Sequence, residues 1–173
     1  HKMILTAHRH GYQVGIHAIG DKAVEAAING IIHANQECPG KDLRHYVIHP
    51  EMFGNNAQAA RAAHYHVGFS SQPGMGAYLP EEDIFALGER RKRSFGMKEL
   101  LAHGVMIAGG NDAICGPDYP NWLEAVEYCT TRKSVFTGKA VMPELAITVE
   151  QAVRLFTINA AYQEHREHIT GSI

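Results

Sequence analysis

The sequence predicts an α/β fold in which parallel strands alternate with helices, four strand–helix units in all. Three observations carry this. Short apolar or glycine-containing runs are each followed by a sharp turn and then by apolar residues at helical spacing, most clearly Tyr12 to His17 followed by Lys22 to Gln36. Val105 to Asn111 is almost wholly apolar or Gly, which suits a strand buried on both faces of a parallel sheet. Three of the runs end in a reactive side chain, His17, His49 and Asp112, where α/β proteins deliver functional groups to the C-terminal edge of the sheet. Four units are half of an eight-stranded barrel, and 173 residues fall short of the ~250 of a full one.

The elements follow in order. Met3 to His10 is a helix tail that Gly11 ends. Tyr12 to His17 is the first strand. Ala23, Val24, Ala27, Ile28 and Ile31 form the inner stripe of a helix over 22–36, with Asp21 placed to cap it. Cys38-Pro39-Gly40 breaks the chain, and Arg44 to His49 is the second strand. Asn55 or Asn56 caps a short helix with Ala57, Ala60 and Ala63 as a small-residue face. Val67 to Ser71 is the third strand. Met75 to Leu87 lacks a clean period and reads as a long loop holding a short helix. A helix over 95–102 precedes the fourth strand, and Ala113 to Pro120 reads as a rigid loop. Asn121-x-x-Glu124 and Thr148-x-x-Gln151 have the form of capping boxes opening the last two helices.

Composition narrows the function. The net charge of −2, with 45% hydrophobic and 20% charged residues, gives no bulk attraction to nucleic acid or anionic lipid. The local run Arg90-Arg91-Lys92-Arg93 reads as a solvated helix face. No apolar run approaches the ~20 residues of a membrane span. Cys38, Cys115 and Cys129 are too widely spaced for a disulfide framework or a zinc knuckle and fit a reducing, cytoplasmic setting. A start at His1 inside a helix tail, and a stop at Gly171-Ser172-Ile173, are expected of an incomplete chain.

Several phrases then resemble one family. Gln13 to Ala23 (QVGIHAIGDKA) is similar to the fifth-strand signature of metal-dependent amidohydrolases, in the amidohydrolase-3 or YtcJ-like branch. Arg44 to His49 sits where that family carries its sixth-strand His. Gly109-Gly110-Asn111-Asp112-Ala113 resembles its eighth-strand Gly-Ser-Asp-Ala phrase, and Thr157 to Ala161 its Thr-x-Asn-Ala-Ala helix. Gly171-Ser172-Ile173 resembles the start of a phrase leading into its small β-sandwich. The resemblance implies the C-terminal half of a (β/α)8 TIM-type barrel. Residues 1–173 would then be one partial domain with strands five to eight, the N-terminal half being absent. The family's first-strand His-x-His pair and fourth-strand carboxylated Lys have no counterpart here. Asn111 stands for the usual Ser and Ile48-His49-Pro50 for Glu-His-Ala, which leaves the substrate class open.

Chemistry follows from the strand ends. His17 and His49 are the candidate ligands for a divalent metal, Zn²⁺ foremost, as one or two ions. Asp112 is a third ligand and the candidate general base, taking a proton from water and passing it to a leaving amine. Gln72, Met75, Tyr78, Cys115, Tyr119 and Trp122 are candidates for contact with a small-molecule substrate, and a homo-oligomer is compatible with the sequence. His33, His45, His64, His66 and His103 are weaker candidates, and His165 and His168 read as solvent-facing. The expected activity is hydrolysis of an amide or related non-peptide C–N bond. Two alternatives stand beside it: a non-catalytic half-barrel that needs a partner, and a metal-dependent ester or lactone hydrolase.

Overall fold

The structure, a computed structural model, describes residues 1–79, 81–112 and 121–172. Four short strands, β1 (Gly15–His17), β2 (Tyr46–Ile48), β3 (Gly68–Ser71) and β4 (Ile107–Gly109), pair in sequence order and all in parallel. Parallel neighbours need crossover connections, and helices supply them. The register aligns Ile16 with Val47, Val47 with Phe69 and Phe69 with Ile107. These side chains share one face of the sheet, and the last three are fully buried.

The strands are shorter than the sequence suggests, and β1 shows why. The Val14 N–H donates to the ring Nδ1 of His45 at 3.0 Å rather than to a backbone carbonyl. Val14 therefore joins β2 through its carbonyl alone, which accepts from the Tyr46 N–H at 3.1 Å, and the strand proper begins at Gly15. Gly15 itself is required by a close approach. A Cβ there would lie 2.7 Å from Cε2 of the Tyr46 ring.

Helix α1 (Lys2–Arg9) packs on α2 (Asp21–Glu37), which buries Val24, Ala27, Ile28 and Ile31 at the expected spacing. The capping position belongs to Gly20, at φ +92°, and not to Asp21. Asp21 is the first helical residue; its Oδ1 accepts from the Lys22 N–H at 2.9 Å and its other oxygen lies 3.5 Å from Arg90. Helix α3 (Asn56–His64) opens on Asn55, whose side chain accepts from the Gln58 N–H. Its buried face is Gln58, Ala59 and Ala62 rather than Ala57, Ala60 and Ala63. Gln58 sets that rotation by donating to the Asp21 carbonyl and accepting from the Gly54 N–H.

The stretch read as a loop holds two short helices, α4 (Pro73–Ala77) and α5 (Glu81–Ala86). A 3-10 segment, Gly88–Arg93, then carries the basic run, with Arg90 and Lys92 exposed and paired to Asp21 and Glu89. Helix α6 (Met97–Ala102) precedes β4, and α7 (Trp122–Thr131) opens on Asn121. The expected final helix is two, α8 (Val149–Phe156) and α9 (Ile158–Gln163), broken at Thr157 with φ −120° and ψ −100°. The Thr148–Gln151 capping box is present. Asn159 donates from Nδ2 to the Ile107 carbonyl at 2.9 Å, locking α9 to β4.

Three polar clips hold the layers. At the entry to the strands His8 and His45 form a buried pair, Nδ1 to Nε2 at 2.8 Å, and the His8 Nε2 lies 2.8 Å from the Cys38 carbonyl. Because His45 Nδ1 accepts from Val14, its proton is on Nε2. His8 therefore accepts at Nδ1 and donates from Nε2 to Cys38. Arg132, fully buried at the end of α7, donates to the carbonyls of Ser94, Phe95 and Val141 and lies over the Tyr128 ring. Arg44 forks onto both oxygens of Glu167, donates to the Tyr162 carbonyl and covers the Tyr162 ring, while Gln13 donates to the Gln163 carbonyl.

Candidate active site

Parallel pairing brings the candidate residues out of one edge. The Ala18 N–H donates to Ile48, the His49 N–H to Ser70 and the Gly110 N–H to Ser71. His17, His49, Gln72 and Asp112 thus leave the sheet together. The His17 and His49 rings lie 4.8 Å apart, edge to face. His49 Nε2 is 3.6 Å from an Asp112 oxygen. His49 and Asp112 both adopt left-handed backbone, at φ +63° and +44°. Such conformations are costly for residues other than Gly and cluster at functional sites.

His49 is buried, whereas His17 on the outermost strand and Asp112 are open to solvent. Burial lowers the His49 pKa, Asp112 pulls it back up and His17 lowers it again. The ring is therefore neutral at pH 7, and its contact with Asp112 is not an ion pair. Its other nitrogen, Nδ1, is buried, has no hydrogen-bond partner and faces Glu51 Oε2 at 3.6 Å.

Glu51 is the site residue that sequence reasoning missed. It is 8% exposed, and burial pushes its carboxyl up to about 7, against the opposing hydrogen bonds from Gln72 and Ser71. Its only signal in the sequence is an acid two residues beyond a strand-end His, which reads equally as a turn residue.

The substrate candidates separate. Gln72 is buried beside the site with Oε1 unpartnered, and both amide atoms of Asn111 are buried without partners. Gly110 makes room for Gln72: a Cβ there would lie 2.1 Å from Gln72 Oε1. Tyr78 donates to Glu124 at 3.2 Å. Met75 packs against the core, and Trp122 is half-exposed near Phe156. Cys115 and Tyr119, with the loop 113–120, lie outside the described residues, as does Ile173. His45 belongs to the clip with His8, while His33, His64, His66, His165 and His168 are exposed. Among the described residues no three His, Cys, Asp or Glu side chains are grouped so as to hold a metal ion. His17, His49 and Asp112 converge, but they do not form a closed ligand cage.

The parallel sheet and its crossover helices have the architecture of part of a (β/α)8 barrel. The chain belongs to the amidohydrolase family, whose sequence profile matches residues 1–173. It is 31% identical over 176 residues to the Bacillus subtilis (strain 168) protein YtcJ, named as an amidohydrolase, covering 99% of this chain and 32% of YtcJ. It is 21% identical over 175 residues to the N-substituted formamide deformylase of Arthrobacter pascens, covering 100% of this chain and 31% of that one. The chain thus spans about a third of the length of these relatives. Among solved structures, an uncharacterized metal-dependent hydrolase from Pyrococcus horikoshii OT3 superposes with a TM-score of 0.73 at 21% identity, over 94% of this chain and 31% of its own. A triazine hydrolase variant does so at 0.60 and 14%, over 97% of this chain and 34% of its own. At these identities the two structures bear on the fold alone. No helix among the described residues is long and apolar enough to cross a membrane.

Proposed function

We propose that the protein is a metal-dependent hydrolase of an amide or related non-peptide C–N bond, acting on a small molecule. The observation that carries this is the convergence of His17, His49 and Asp112 on one strand edge. The donor types suit a divalent ion, Zn²⁺ foremost: two imidazoles and a carboxylate. The buried, neutral His49 is already in the form a ligand must take. His17, His49 and Asp112 would hold one or two ions, with further donors from outside this half of the barrel. Residues 1–173 supply its strands five to eight. The formamide deformylase among the relatives favours a C–N bond over an ester or lactone.

A bound divalent ion supplies Lewis acidity, polarising the carbonyl and making water easier to deprotonate. Asp112 takes the proton as water adds to the carbonyl carbon. It returns that proton to the nitrogen as the C–N bond breaks, so the amine leaves neutral. Gln72 and Asn111, with unpartnered buried amide atoms beside the site, orient the substrate. The free thiols of Cys38 and Cys129 support a reducing, cytoplasmic setting.

The test uses the complete chain on a panel of amides and esters. His17→Ala and Asp112→Asn are each expected to lower kcat/KM on amides by roughly 10²-fold or more. Normal turnover in both variants would show that the assignment is wrong.

A further inference from the structure

Glu51 occupies a position that its burial makes costly. A carboxylate is seldom buried without a paired cation, and among the described residues no Lys or Arg pairs with it. One of its oxygens is spoken for. Oε1 accepts from the Gln72 N–H at 2.8 Å and from the Ser71 hydroxyl at 3.4 Å. The other, Oε2, is turned to His49 Nδ1, which is itself buried without a hydrogen-bond partner. An unpartnered ring nitrogen therefore faces a carboxyl oxygen.

The frame behind Glu51 is stiff. Its carbonyl accepts from the Phe95 N–H at 2.7 Å, beside an antiparallel bridge between Met52 and Ser94. The Ser94 and Phe95 carbonyls are in turn held by the buried Arg132 guanidinium. A carboxylate held on both its backbone and one oxygen has little freedom to turn away from the ring.

We infer that Glu51 is the positioning residue for His49, fixing the imidazole proton on Nδ1 so that the Nε2 lone pair faces Asp112 and the His17 side of the site. An acceptor set against one ring nitrogen selects the tautomer and orients the other nitrogen as a ligand. The metal part of this inference rests on the reading of His49 as a ligand; the tautomer part does not.

The experiment takes the complete protein, freed of metal and held well above pH 7 so that the Glu51 carboxyl is ionised, and records imidazole ¹⁵N–¹H correlations with the His49 signals assigned. Wild type is expected to show the Nδ1–H tautomer. Glu51→Gln keeps an oxygen for Gln72 and Ser71 but sets an amide N–H₂ against Nδ1, so His49 is expected to switch to the Nε2–H form. Glu51→Asp is expected to restore the Nδ1–H form in part. Zn²⁺ affinity, measured by chelator competition, is expected to fall about 10–100-fold in Glu51→Gln, with an unchanged circular dichroism spectrum. The same tautomer in wild type and Glu51→Gln, or equal Zn²⁺ affinity in the two, overturns the inference. If Glu51→Gln does not fold, an Nε2–H tautomer in wild type overturns it alone. If wild type binds no Zn²⁺, the metal reading fails, while the tautomer still decides the role of Glu51.

Discussion

The His8–His45 clip makes stability depend on acid in a calculable way. His45 is 2% exposed, and its pKa falls from 6.5 to about 4, first through burial and then through the neighbouring His8, with Asp42 opposing. The unfolded chain takes up this proton near pH 6.5 and the folded one only near pH 4. Between those values the unfolded state binds more protons, so stability is complete above pH 6.5 and is lost as pH falls towards 4. Each pH unit of that window is worth about 1.4 kcal/mol, which sets a ceiling of about 3 kcal/mol. The pair borders an open cleft lined by Asp42 and Tyr65, and water there screens part of the effect, so about 2 kcal/mol is expected. The geometry supplies the cause: a protonated Nδ1 would set a second donor against the Val14 N–H. Urea denaturation at pH 7, 6, 5 and 4 measures the loss. His45→Asn keeps an oxygen for Val14 but cannot titrate. It should be less stable at pH 7 and should converge with wild type near pH 4. Parallel stability profiles for the two proteins would refute the reasoning.

Two further substitutions probe the frame of the site. Arg132→Ala leaves the carbonyls of Ser94, Phe95 and Val141 without their donor; a loss of about 3 kcal/mol or more is expected in denaturant melts, and a loss below about 1 kcal/mol would contradict the clip. Gly110→Ala sets a methyl group against Gln72. It should cost about 1–3 kcal/mol, and adding Gln72→Ala should recover most of that in the same melts.

The alternation of strands and helices was legible because parallel strands and amphipathic helices leave separate marks. Val47, Phe69 and Ile107 stand in apolar runs, while Val24, Ile28 and Ile31 recur at helical spacing. The grouping of His17, His49 and Asp112 at one edge of the sheet was legible because each ends such a run. What the sequence concealed lies in long-range partners. His8 becomes a buried clip only because His45 arrives beside it, 37 residues later. Gln58 rotates α3 by reaching to Asp21, which no local spacing of alanines records. Glu51 counts as a site residue only once Ser71 and Gln72 hold it against His49. The division at Thr157 was hidden because an apolar stripe crosses it unbroken.

The Gln13 and Arg44 contacts also order events in time. Their partners Gln163, Tyr162 and Glu167 lie 150, 118 and 123 residues further along the chain. At roughly 5–20 residues per second, a ribosome takes on the order of ten seconds to make that distance. For that interval the entries to β1 and β2 exist without their latch, and contacts of such long sequence separation are slow to form once available. Among these residues the base of the sheet is therefore secured late in synthesis, and until then it lies open to a chaperone or a protease.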